Sequence, residues 1–205
     1  MFIVFEGIDG SGKSTQLEMC QTWLESLSRA VTVCRDPGST ELGNRLREIL
    51  LQRSELRVCY PAEMFLFMSA RAQLMAEVVL PALQRNEMVL CDRFLLSTVV
   101  YQGHAGELVP EVIREIGQSA TLGRNPDLTL VFDAPLEITM RRVGSTRDRM
   151  ESRGEEYFAS VRRGFLDEAA RDDSVRIIDG GGDPQDIHRE VREVIQTLLD
   201  QTPAN

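Results

Sequence analysis

The residues with the most chemistry in their spacing stand near the amino end. Gly7-Ile8-Asp9-Gly10-Ser11-Gly12-Lys13-Ser14 fits G-x-x-x-x-G-K-[ST], the pattern of a phosphate-binding loop, and Thr15 follows it. Glycines let the main chain curl so that successive N–H groups converge on phosphate oxygens. Lys13 adds a mobile point charge for the terminal phosphates, and the Ser14 hydroxyl suits Mg2+ as a ligand. A chance match in a chain of this length is roughly a one-in-a-hundred event. A second observation singles out Lys13: of the 23 basic residues it is the only lysine, and every other one is an arginine. A sequence built on arginine keeps lysine where a compact ammonium suits a phosphate. Asp9 sits inside the loop, where a carboxylate beside a triphosphate is repelled unless a metal intervenes. It is a candidate metal or acceptor contact.

Three further sets of residues carry candidate chemistry. Asp92-Arg93 closes the apolar run MVLC. Asp92 is placed to hold Mg2+ directly or through water, with a helix cap as the plainer reading. Arg93 is placed to hold an anionic acceptor. Phe67 and Arg71, four residues apart, share a helix face, and an aromatic ring beside a guanidinium suits a base stacked near a phosphate. By pattern alone Phe67 reads as core, since Met64, Phe65 and Met68 surround it. Arg147, Arg149 and Arg153 fall in a run with few apolar residues. That run reads either as a solvated charged face or as a lid that closes over phosphates and delivers an arginine to the transition state.

These residues need elements to position them. Phe2 to Phe5, Val31 to Arg35, Met88 to Cys91, Leu128 to Phe132 and Val175 to Ile178 read as five buried strands. Helical patterns alternate with them. The first carries Leu17, Cys20, Trp23, Leu24 and Leu27 on one stripe. Another covers Glu41 to Leu51 behind Thr40 as cap. A long helix runs from Pro61 to Gln84, where Pro81 is expected to kink or shorten it. Further helices are expected over Leu95 to Gln102, Pro110 to Leu122, Pro135 to Val143 and Glu155 to Arg171, and a last one behind Asp183 and Pro184. The alternation predicts an α/β fold, a doubly wound five-stranded parallel sheet with helices on both faces. Ligands in such sheets bind beyond the carboxyl ends of the strands, where Asp9, Asp36, Asp92, Arg93, Asp133 and Asp179 lie.

Composition narrows the classes. A chain of 205 residues suits one domain, here expected over 1–200 with a lid at about 144–154 and a loose tail over 201–205. A net charge of −9 argues against a surface that coats nucleic acid. Cys20, Cys34, Cys59 and Cys91 show no C-x-x-C spacing, so reduced thiols in a cytoplasmic protein are expected. No apolar run approaches the ~18 residues of a membrane span, and with the first strand starting at Phe2 no signal peptide is expected. His104 and His188 read as surface residues. A GTPase switch is excluded in its usual form, because N-K-x-D needs a second lysine.

Four stretches, FEGIDGSGKST, RDPGST, FLFMSARAQL and DRFLLSTVVYQG, resemble thymidylate kinases, and NPDLTLVFDAP and DRMESRGEEYFASVRRGFLDEA continue the likeness downstream. The resemblance implies a P-loop kinase that uses ATP and Mg2+ to phosphorylate dTMP to dTDP, in the cytoplasm and as a homodimer. The helix with Met64, Phe65, Met68 and Met75 has apolar surface to spare for such an interface. The resemblance further implies that Gly7 to Thr15 hold ATP and that Asp36 approaches the sugar 3′-hydroxyl and the phosphate. Phe67 would stack on thymine, Arg71 and Arg93 would hold base and 5′-phosphate, and Ser97 and Gln102 would line the thymine and sugar pocket. Asp148 and Arg149 would belong to the lid, and Gly10 in the loop resembles the bacterial type, whose lid supplies the catalytic arginine. Asp36-Pro37-Gly38-Ser39 departs from the Glu-Pro-Gly-Gly more common in the family. Another deoxynucleoside or nucleotide kinase of this fold and a regulatory nucleotide-binding protein without turnover are the alternative readings.

Overall fold

The computed structural model describes residues 1–51, 56–143 and 154–201. Strands β1 (Phe2–Glu6), β2 (Val31–Arg35), β3 (Met88–Asp92), β4 (Leu128–Asp133) and β5 (Val175–Asp179) form one sheet in the order β2-β3-β1-β4-β5, with every pairing parallel. The helices that join them are α1 (Lys13–Ser26), α2 (Glu41–Leu51), α3 (Tyr60–Leu74), α4 (Leu80–Gln84), α5 (Leu95–Thr98), α6 (Pro110–Ala120), α7 (Leu136–Val143), α8 (Glu155–Ala169) and α9 (Pro184–Gln201). This is the α/β architecture of the P-loop NTPases.

Alternation along β1 builds the two main cores. Ile3 and Phe5 face α1 and α9, against Leu17, Leu24, Val191 and Ile195. Phe2 and Val4 face the other side, against Leu74, Met75, Val79 and Phe94. Register then sets the site. Phe5 and Arg35 both pair with Asp92, so Glu6, Asp36 and Arg93 leave their strands at one level. The ladder continues one step further: the Asp36 amide donates to the Asp92 carbonyl at 3.1 Å and the Arg93 amide to the Phe5 carbonyl at 2.9 Å.

The caps follow the sequence. Thr40 Oγ1 accepts from the Gly43 amide at 2.9 Å, and Asp183 Oδ1 accepts from the Gln185 amide at 2.8 Å. Other expectations need correction. Pro81 neither ends nor visibly shortens its helix: a π-helical turn at Met75–Val79 widens the backbone ahead of it, and the helix resumes to Gln84. Leu95 to Gln102 is likewise one short α-helix passing into a π-helical segment, Val99–His104. Leu27 lies beyond the end of α1 and is 47% exposed. Gln201 belongs to α9 rather than to a tail, and 202–205 lie outside the described residues. The continuous helical stretch Tyr60–Gln84 has the length and mean hydropathy, 1.3, of a membrane span. It is a core helix of this fold. Met64 and Met68 pack on Val99 and Ile113, and Met75 packs under the sheet. The spare apolar surface expected there is therefore used within the chain, and of the four residues named only Phe65 is exposed.

Candidate active site

β1 ends at Glu6 and the chain turns at once into the glycine loop. A Cβ on Gly7 (φ 136°) would lie 2.5 Å from the Phe132 carbonyl oxygen, and one on Gly10 (φ 82°) would lie 2.4 Å from that of Thr139. Close packing and left-handed backbone both demand glycine at these points. Helix α1 opens at Lys13 behind Gly12, with no side chain capping its first amides. Those N–H groups and the helix dipole are left for an anion. Ser11 is buried in the loop. The Ile8 side chain is buried against Val100 and Phe158, so only its main chain belongs to the loop. Thr15 is exposed on the first turn of α1.

Beside the loop opens a cleft of about 210 Å³. It brings together Asp9, Lys13, Ser14, Asp36, Phe67, Arg71, Asp92, Arg93, Ser97 and Gln102. Asp9 joins its two halves: the same oxygen accepts from Lys13 Nζ at 2.7 Å and from Arg93 Nη2 at 2.8 Å. Burial raises the Asp9 carboxyl, but Arg93 and Lys13 outweigh it and hold the group well below the usual carboxylate range. Arg93 lies over the Tyr101 ring, 5.3 Å from its centroid, and donates to Ser97 Oγ at 3.2 Å.

The acceptor side rests on a buried ion pair. Arg71 Nε donates to Asp36 Oδ2 at 2.6 Å, and Nη2 donates to Thr98 Oγ1 and the Phe94 carbonyl. Arg71 is thus largely consumed by its neighbours, and Nη1 has only the weakly accepting Met68 sulfur as partner, at 3.1 Å. Asp36 Oδ1 is buried with no protein partner. Phe67 is half-buried on the cleft wall and not in the core, contrary to the pattern reading. Gln102 is buried and donates to Glu63 Oε1 at 2.8 Å. Ser39 takes φ 62°, and its hydroxyl accepts from the Arg35 amide at 2.9 Å.

Asp92 pairs with Arg35 Nε at 3.3 Å through Oδ2, while its Oδ1 is buried without a partner. With Ser14 and Asp9 on the same wall, the oxygen donors suit a hard cation whose remaining ligands come from phosphates and water. Among the described residues no cluster of three His, Cys, Asp or Glu side chains could hold a metal unaided. Two strand-end carboxylates do not join the site. Asp133 is held bidentate by Arg162 at 2.6 and 2.7 Å, and Asp179 accepts from its own turn at Gly181. Arg147, Asp148, Arg149 and Arg153 lie outside the described residues.

Sequence reading missed four contributors. Arg47 lines the cleft and donates to the Pro37 carbonyl at 3.1 Å. It stands on the buried stripe of α2 with Gly43, Leu46 and Leu50, and a charge on that stripe was the available signal. Tyr101 and Thr98 complete the wall. Arg142 donates to the carbonyls of Gly10 and Gly180 at 3.2 and 2.8 Å and ties α7 to the loop.

A phosphate loop that shares one carboxylate with a second, arginine-lined and aromatic pocket defines a P-loop nucleotide kinase. A family model described as thymidylate kinase matches residues 5–191. A thymidylate kinase of Fervidobacterium nodosum is 38% identical across 97% of this chain and 100% of its own, and one of Rhodopirellula baltica is 42% identical across 96% and 77%. The crystal structure of thymidylate kinase from Ehrlichia chaffeensis superposes with a TM-score of 0.77 at 29% identity, covering 96% of this chain and 98% of that one. The chain belongs to the thymidylate kinase family.

Proposed function

We propose that this protein transfers the γ-phosphoryl group of ATP to dTMP, giving dTDP. The observation that carries the reading is Asp9, whose one oxygen meets both the loop lysine and the arginine of the facing pocket. Donor and acceptor phosphates would converge there. The acceptor is itself a phosphate oxygen, already anionic, so no strong base is required, and catalysis rests on alignment and charge. Lys13 and the α1 amides would hold the donor phosphates. Arg93, with Arg47 beside it, would hold the acceptor phosphate, and Asp36 its sugar. Phe67 would stack on the pyrimidine while Gln102, fixed by Glu63, and Arg71 Nη1 face its edge. Mg2+ held by Ser14 and Asp92 would neutralise charge on the transferring phosphoryl group. An arginine of 144–154, foremost Arg149, would complete that neutralisation.

The test is an acceptor panel: ATP and Mg2+ with dTMP, dUMP, dCMP, AMP and GMP, followed by product separation. Turnover of dTMP far above the rest is expected. Silence on dTMP with another acceptor reacting would overturn the specificity. The homodimer belongs to the same reading. Leu42 and Ile49 on α2 and Phe65 on the neighbouring α3 are each at least 43% exposed and supply an apolar face. Light scattering at the 23.1 kDa of one chain would refute it.

A further inference from the structure

Arg93 holds an unusual backbone for a residue with a side chain, φ 68°. The left-handed region is strained for a non-glycine residue, and such a conformation persists only where its surroundings impose it. Here the surroundings are two consecutive residues of β1 together with the Cys91 thiol, which donates to the Arg93 carbonyl at 3.0 Å. Ahead of the strained position, the Phe5 carbonyl accepts from the Arg93 amide at 2.9 Å. Behind it, Glu6 Oε1 accepts from the Phe94 amide at 2.9 Å and from the Ser97 amide at 3.0 Å. Glu6 Oε2 receives the Ser97 hydroxyl, and the same Ser97 oxygen accepts from Arg93 Nη1 at 3.2 Å.

We infer that Glu6 is a positioning residue, a strut that fixes the backbone on the far side of Arg93 and, through Ser97, the guanidinium itself. This rests on the proposed acceptor role of Arg93. Glu6 cannot touch a nucleotide, since it is fully buried and does not line the cleft. Nor is it there to pack. A carboxyl at the end of a core strand is costly to bury, and an apolar residue would fill the space without that cost. Its two oxygens instead hold the segment 94–97, which follows the neighbouring strand β3.

The hydrogen-bond pattern says which property of Glu6 matters. One oxygen takes two amides and the other faces a hydroxyl, which can accept as well as donate. A glutamine reproduces this, with Oε1 on the amides and its NH2 on Ser97 Oγ. Burial pushes the Glu6 carboxyl up, with the Arg93 charge and the hydrogen bonds from Ser97 and Phe94 opposing it. Asp9 supplies Arg93 with its close counter-charge.

The experiment is a double-mutant cycle read as kcat and KM for dTMP and for ATP, with thermal unfolding alongside. Glu6→Met keeps length and volume but removes both acceptors. It is expected to lower kcat/KM for dTMP at least about thirtyfold while the ATP KM stays within about threefold. Glu6→Gln is expected to return within about threefold of wild type. Added to Arg93→Ala, Glu6→Met should cost no more than about another threefold, because the group it aims is gone. The same thirtyfold loss in the Arg93→Ala background, or Glu6→Gln as poor as Glu6→Met, overturns the strut. If Glu6→Met does not fold, Ser97→Ala takes its place in the cycle: the part of its effect that runs through Arg93 must vanish in the Arg93→Ala background, and an undiminished effect overturns the inference. Wild-type protein inert toward dTMP would sink the functional reading, not the strut. Where Glu6→Met folds, its crystal structure decides: residue 93 should leave the left-handed region, and a φ still near 68° refutes the inference.

Discussion

Arg71 and Asp36 form an ion pair closed off from solvent, Nε to Oδ2 at 2.6 Å with neither side chain more than 2% exposed. They come from α3 and from the turn after β2, 35 residues apart. The pair joins the acceptor wall to the sheet. Removing one partner of such a pair strands a buried charge, at about 3–5 kcal/mol. Arg71→Ala should lower unfolding stability in denaturant by that amount. Because Asp36 lines the cleft and its Oδ1 has no protein partner, Asp36→Asn should weaken dTMP binding more than it weakens ATP binding. A variant Arg71→Ala within about 1 kcal/mol of wild type would show the pair to be relaxed by water.

Phe67 stands half-buried on the cleft wall, one helical turn before Arg71. Stacking of a base on an aromatic ring is worth about 1–3 kcal/mol by alanine substitution. Phe67→Ala should raise the dTMP KM about 5- to 100-fold with the ATP KM unchanged, and Phe67→Tyr should restore most of it. Equal loss toward both nucleotides in steady-state kinetics would remove Phe67 from the base site.

Lys13 is 4% exposed and engaged with Asp9. Binding of a triphosphate must draw the ammonium from the carboxylate toward the phosphates. Lys13→Ala should therefore cost at least about 100-fold in kcat, as loss of one transition-state charge contact does. Phosphoryl transfer persisting within about tenfold, after purification that excludes contaminating kinase, would contradict the loop mechanism.

How much of this was readable in the chain depends on how local each feature is. The phosphate loop is a contiguous device: strand, glycines and helix must follow one another, so spacing alone declared it. The acceptor wall is assembled from positions 36, 47, 67, 71, 93 and 102, which register and helix packing bring together. Strand ends linked 36 with 93 and helical spacing linked 67 with 71; family resemblance joined these to 102, and nothing in the sequence reading linked 47. Arg47 was overlooked although it sits on a buried stripe, because charge in a helix is ordinarily read as surface. Glu6 was overlooked because a glutamate before Gly7 looks like the polar stop of a strand. The π-helical turns at 75–79 and 99–104 were invisible because hydrophobic period does not distinguish a widened turn from an ordinary one. The methionines of α3 misled in the other direction, since apolar surplus in sequence says nothing about which neighbour covers it.

His188 corrects another expectation and gives a prediction at a distance from the cleft. It is 8% exposed between α1 and α9, edge-on to Trp23 with ring centroids 6.4 Å apart, and its Nδ1 has no protein partner. Burial, with Arg192 adding to it, pushes the imidazole below its ordinary value. A group that binds its proton more weakly when folded contributes stability at pH values above its unfolded pKa, about 6.5, and loses that contribution as the pH falls below it. Part of the decline in stability between pH 7 and pH 5 should therefore belong to His188. His188→Phe, which keeps a ring on Trp23 and removes the titration, should flatten that decline in urea unfolding while leaving kinase activity intact, because residue 188 lies outside the cleft. Parallel stability curves for the two proteins across this window would show that the buried imidazole takes up its proton as readily as an exposed one.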